Sequence, residues 1–128
     1  MEYDVLLLTP VWDSSQMWGK FKDGAGSYLP INIMTIAAYV EKAGFSTKIF
    51  DATNLRLTKS FLSDYFQNNS FKVIGISSYT ASICSAYRTA TLAKKLLPNV
   101  KIMLGGIHGT LLPEQSLREC PALDSVCI

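Results

Sequence analysis

Most of the groups that build an autonomous catalytic centre are scarce in this chain. It has one histidine and three cysteines, Cys84, Cys120 and Cys127, with no C-x-x-C spacing and no even-numbered framework. A zinc or iron–sulfur centre held by its own side chains is therefore not expected, and the metal-ligand assignment is none. The thiols read as reduced, as in a cytoplasmic protein. No apolar run approaches the roughly 18 residues needed to cross a bilayer, and the Met-Glu-Tyr-Asp start has no basic n-region, so neither a membrane span nor a secretory signal is expected. Net charge is only +2, and Lys94-Lys95 is the one adjacent basic pair, which argues against nucleic acid and anionic membrane surfaces as partners. No nucleophile–base or paired-carboxylate arrangement stands out, so no catalytic residue is assigned. Phosphate loops are missing as well. Neither G-x-G-x-x-G nor G-x-x-x-x-G-K-[ST] occurs, and Gly24-Ala25-Gly26 lies inside a long loop rather than at a strand-to-helix turn.

What is present is a regular alternation. With 128 residues, 48% of them hydrophobic and 17% charged, the chain suits one globular domain with a real core. Asp4 to Thr9 is a continuous apolar run of strand length, typical of a strand buried on both faces. Leu29, Ile33, Ile36, Ala37 and Val40 repeat at helical spacing and stop at Gly44, a natural residue just past a helix end. Phe45 to Phe50 reads as a second strand. Phe61, Leu62 and Tyr65 share a helical face, and Val73 to Ser77 is a third strand. A longer helical stripe follows through Ile83, Ala86, Tyr87, Ala90, Ala93 and Leu97, then a fourth strand from Lys101 to Leu104 and a helix start at Pro113-Glu114-Gln115. Strand–helix alternation implies right-handed crossovers and a parallel sheet covered on both faces. The expected fold is α/β, a doubly wound, mostly parallel five-stranded sheet of flavodoxin-like (Rossmann-like) type with strand order 2-1-3-4-5. The last run, Asp124 to Ile128, opens like a strand and stops without a cap or polar tail. It reads as the end of a fragment cut from a longer polypeptide.

In open parallel sheets, ligands bind beyond the carboxyl ends of the strands, at the switch point in strand order. Here those ends are Thr9-Pro10, Asp51-Ala52, Ser77-Ser78-Tyr79 and Gly105-Gly106-Ile107-His108. Small residues on two neighbouring strands suit a deep slot, although Gly105-Gly106 alone equally fits a tight turn. The first loop, from Pro10 to Leu29, is far longer than the usual two to six residues, and such loops are generally functional. Its Trp12 and Trp18 offer either a flat aromatic shelf or a seal for the end of the core. Pro10-Val11-Trp12-Asp13 cannot act as a flavodoxin phosphate loop, and Ser77 stands where a receiver domain needs aspartate.

The run Val73-Ile-Gly-Ile-Ser-Ser-Tyr-Thr, then Ile102-Met-Leu-Gly-Gly-Ile-His-Gly-Thr and Pro113-Glu114, resembles the cobalamin (B12)-binding domain that precedes many radical SAM enzymes. The resemblance covers essentially the whole chain, and Gly105-Gly106-x-His108 with Pro113-Glu114 leading into Asp124-x-Val126 is its most specific part. It implies that Ser77-Ser78-Tyr79 matches an S-x-L element, and Gly105-Gly106 a double-glycine element, lining a slot for the nucleotide tail of cobalamin. The candidate cofactor-binding residues are Pro10, Trp12, Asp51, Ser77, Ser78, Tyr79, Thr80, Gly105, Gly106 and His108. For His108 the readings are a hydrogen bond to the cofactor, a cobalt contact, or an ordering role in its own turn. Asp51 suits a cofactor amide or simply the start of a turn, and Cys84 reads as a packed small hydrophobe. Methionine synthase-type domains carry D-x-H-x-x-G after the first strand, with the histidine below the cobalt. The first loop here has no histidine, which implies binding without one. Tyr79 in place of leucine is a further departure. The expected partner is a C-terminal radical SAM domain of the same parent chain, where S-adenosylmethionine and a 4Fe-4S cluster would reside. The contrasting expectation is a degenerate domain of this fold acting as a non-catalytic docking or scaffold module.

Overall fold

The computed structural model describes residues 1–11, 19–24, 29–52 and 59–128. Five strands form one sheet: β1 (Glu2–Thr9), β2 (Thr47–Asp51), β3 (Ser70–Ser77), β4 (Lys101–Gly105) and β5 (Ser125–Val126). Their order is β2-β1-β3-β4-β5, and each neighbouring pair is parallel. This is the doubly wound, flavodoxin-like α/β arrangement expected from the alternation of elements. The helices are α1 (Ile31–Lys42), α2 (Lys59–Asn68), α3 (Ile83–Leu96), α4 (Ile107–Leu111) and α5 (Pro113–Glu119). Short 3₁₀ turns at Gly19–Gly24 and Thr80–Ser82 complete the order.

Local signals account for most boundaries. α1 ends where Gly44 takes a positive φ of 93°, with its amide bonded back to the Glu41 carbonyl at 2.9 Å. Pro113 opens α5, where its missing N–H has no helical partner to lose. α4 was not foreseen from the sequence. It is a five-residue helix whose interior Gly109 gives no apolar period, and a Cβ there would crowd Val126 at 3.1 Å. The last strand is shorter than read, with Ser125–Val126 alone paired to β4.

Side chains alternate across the sheet, and its two faces differ. Leu6, Leu8, Ile74, Ile76, Ile102 and Leu104 point to one face and are buried against Leu62 and Phe66 of α2 and Ile83, Ala86, Ala90 and Ala93 of α3. On the other face Leu7 meets Ile33 and Ala37 of α1 in a far smaller cluster, flanked by Val5. The helical stripe read from the sequence is corrected here. Leu29 lies before the helix and is exposed, and Ile36 is half exposed. α1 lies over β1 and β2, so it carries more apolar surface than the described residues cover.

The far edge is locked by charge. The Asp124 carboxylate accepts from Lys94 of α3 at 2.7 Å, from Lys101 at 3.2 Å and from the Ile102 amide at 2.8 Å. The Lys94 hydrogen bond, followed by the Ile102 N–H, lowers its pKa to about 2.

Candidate cofactor site

Where the strands end, the register lays a row of small and polar residues on the α1 face. Asp51 pairs with Thr9, and Ser77 pairs with Gly105. Ser77 also continues β3 beyond the Leu8–Ile76 pair, which sets it beside Thr9. Thr9 Oγ1 donates to Asp51 Oδ1 at 2.8 Å and accepts the Ala52 amide at 3.0 Å. The first two strand ends are thus tied together. Among the described residues there is room above Gly105: a Cβ there would meet only the Ile76 carbonyl, at 4.0 Å. From the side, Asn32 in the first turn of α1 donates through Nδ2 to Ser77 Oγ at 2.8 Å.

A second group, centred on the buried Ser78, Ser82 and His108, is bonded to itself. The Ser78 amide donates to the Gly105 carbonyl at 3.1 Å, and the His108 amide to the Ser78 carbonyl at 3.4 Å. These bonds carry the β3–β4 pairing past the strands. Gly106 makes this possible: its φ is +90°, and a Cβ would stand 2.5 Å from the Ser78 carbonyl oxygen. Ser78 Oγ lies 2.9 Å from Ser82 Oγ, and the Tyr79 amide donates to Ser82 Oγ at 3.2 Å. His108 is 5% exposed, with Nδ1 3.1 Å from Thr80 Oγ1. Its Nε2 is buried and has no hydrogen-bond partner among the described residues.

The candidate residues therefore divide. Asp51, Ser77 and Gly105 share the open row. The buried Ser78 and His108, with the half-buried Gly106 and the exposed Thr80, form a bonded knot past the ends of β3 and β4. Tyr79 is 57% exposed, so its ring is not packed into the sheet edge. Pro10 is fully buried, and the adjacent Val11 carbonyl accepts from Ser85 Oγ of α3. Trp12 and Trp18 fall outside the described residues. Cys84, read as packed, is exposed on α3. Asn32 and Ser82 were missed in the sequence. Nothing local marks Asn32, whose partner is 45 residues away. A shallow hollow of about 580 Å³ at the opposite edge, lined by Met1, Phe66, Asn69 and Leu97, lies at the amino ends of the strands, where such sheets do not place their ligands.

Among the described residues, no group of three His, Cys, Asp or Glu is placed to hold a metal ion, and no helix is long and apolar enough to cross a membrane. What the row offers is the Ser77 hydroxyl beside the space over Gly105. The family model described as "B12 binding domain" matches residues 23–128. The chain belongs to the B12-binding domain family. Cobalamin, the cofactor expected from the strand-end motifs, is the one for which the family is named. A B12-binding domain of this sequence has several curated relatives. It is 31% identical over 103 residues to an anaerobic magnesium-protoporphyrin IX monomethyl ester cyclase of Rubrivivax gelatinosus, covering 80% of this chain and 19% of that protein. It is 32% identical over 97 residues to an uncharacterized methyltransferase of Pyrococcus horikoshii, covering 76% and 21%. A cyclase of the same description from Cereibacter sphaeroides is 29% identical over 103 residues, covering 80% and 17%. The chain thus spans about a fifth of the length of these relatives.

Proposed function

We propose that residues 1–128 bind cobalamin over the carboxyl ends of β1, β3 and β4, as the N-terminal domain of a B12-dependent radical SAM enzyme. The observation that carries this reading is the row of Thr9, Ser77 and Gly105 beside the switch point between β1 and β3, with space over Gly105 among the described residues, within a chain of the B12-binding family. Gly105 leaves space for the tail, Ser77 offers a hydroxyl to it, and Asp51 closes the β2 side through Thr9. The bonded knot of Ser78, Thr80, Gly106 and His108 supports the floor beneath. The loop after β1 has no histidine, so in this reading the cofactor is held without one below the cobalt. When bound, cobalamin supplies a cobalt centre for methyl transfer or redox chemistry, performed with a C-terminal radical SAM domain that carries S-adenosylmethionine and a 4Fe-4S cluster. The names of the relatives, a cyclase and a methyltransferase, support both outcomes for the parent enzyme.

The test is a visible-absorption titration of the protein with hydroxocobalamin, beside Gly105→Trp. Gly105 has an ordinary backbone conformation and open space above it, so tryptophan there fills the row without disturbing the knot. A saturable spectral change in the wild type, lost in Gly105→Trp at an unchanged melting midpoint, is expected. Absence of any change in the wild type would leave the docking-module reading, which the missing D-x-H-x-x-G motif and the departure at Tyr79 favour.

A further inference from the structure

Asn32 has no place in the strand-end motifs, yet its side chain makes the one hydrogen bond among the described residues that joins α1 to the end of β3. A serine hydroxyl has a single proton and two acceptor lone pairs. Asn32 Nδ2 donates into Ser77 Oγ at 2.8 Å, so one of those lone pairs is occupied from the helix side. The Ser77 proton has no acceptor among the described residues, while its register partner Gly105 leaves the space beside it open. With the helix side taken by a donor, the O–H is left to point across the row. We propose that Asn32 is a positioning residue. It fixes Ser77 as a hydrogen-bond donor toward the open row and so selects a ligand tail that presents an acceptor there. The inference rests on the cobalamin reading. In that ligand the nucleotide tail, through its phosphodiester oxygens or the free ring nitrogen of its base, is the part rich in acceptors.

Exchanging donor for acceptor at position 32 tests this. The carboxylate introduced by Asn32→Asp would accept the Ser77 proton and turn the hydroxyl away from the row, whereas Asn32→Ala would merely release it. Hydroxocobalamin and aquocobinamide, which lacks the nucleotide tail, are titrated against the wild type, N32A, N32D, S77A and N32D/S77A. The expected loss for cobalamin is about threefold to tenfold in N32A and larger, about tenfold to thirtyfold, in N32D, as for one hydrogen bond lost or reversed. Cobinamide binding should stay within about twofold throughout, which also reports that the variants fold. In the S77A background N32D should cost nothing further, because its effect passes through the hydroxyl. Equal losses for both corrinoids, wild-type behaviour of N32D, or a loss that persists in N32D/S77A would each overturn the positioning role while leaving the cofactor reading intact. A wild type that binds neither corrinoid would overturn both.

Discussion

The two faces of the sheet are built from the same strands and reach different ends. On one, Leu6, Leu8, Ile74, Ile76, Ile102 and Leu104 meet α2 and α3 in a continuous core. On the other, Leu7, Ile33 and Ala37 form a small cluster, and Met103 remains 41% exposed although it lies on a central part of β4. A strand buried on both faces reads as an unbroken apolar run, and β1 does. β4 does not: Lys101, Met103 and Gly105 alternate with Ile102 and Leu104. The difference teaches that the closed face holds the fold, while the other face, with its glycine and hydroxyl row, is the one the described residues leave open and the one the cobalamin proposal uses.

Substitutions that probe this contrast rank by depth. Leu104→Ala on the closed face should cost about 3 kcal/mol through lost burial and the cavity left behind, read as a drop in the urea midpoint. Gly106→Ala comes next, at about 2–3 kcal/mol, because a side chain at φ +90° is strained and its Cβ would strike the Ser78 backbone. Gly105→Ala, one residue earlier, should stay within about 1 kcal/mol. If the two glycines proved equally sensitive, the division between open row and bonded knot would fail. A smaller effect is expected at the β5 edge. Asp124 is held at a pKa of about 2 in the folded state against about 3.9 when unfolded. Its contribution is therefore complete above about pH 4 and is lost as the pH falls toward 2. Asp124→Asn should remove about 1 kcal/mol near neutrality and flatten the acid limb of the stability profile, measured by denaturation at stepped pH. The smallest change, under about 1 kcal/mol, should come from Met103→Ala. A loss there as large as that of Leu104→Ala would mean that the second face is closed in solution after all.

Much of this was legible in the chain. Alternating apolar runs and helical stripes, with Gly44 and Pro113 as punctuation, are local signals, and with the doubly wound topology they sufficed for the strand order and for where β1, β3 and β4 end. The Ser77 and Gly105 positions followed from the switch-point rule, since each ends a strand. What was not legible depends on partners distant in sequence. Asn32 means nothing until the fold sets it beside Ser77, and Gly106, read as slot or tight turn, did not announce that its missing Cβ makes room for the Ser78 backbone. The exposure of Ile36 was hidden for the same reason: a helix's own periodicity says which side is apolar, not how much of the sheet opposes it. α4 escaped because five residues with an internal glycine carry no period.

The bonds that run from Ser78 to Gly105 and from His108 back to Ser78 divide the cleft into a part that yields and a part that does not. Its base is an extension of the sheet and can widen only if two strands separate. Its side is α1, anchored by Ile33, Ala37 and one polar tether. On the cobalamin proposal, tolerance for corrinoids with bulkier lower bases is therefore acquired through residues of α1, and a directed search for altered cofactor preference has its productive positions on that helix.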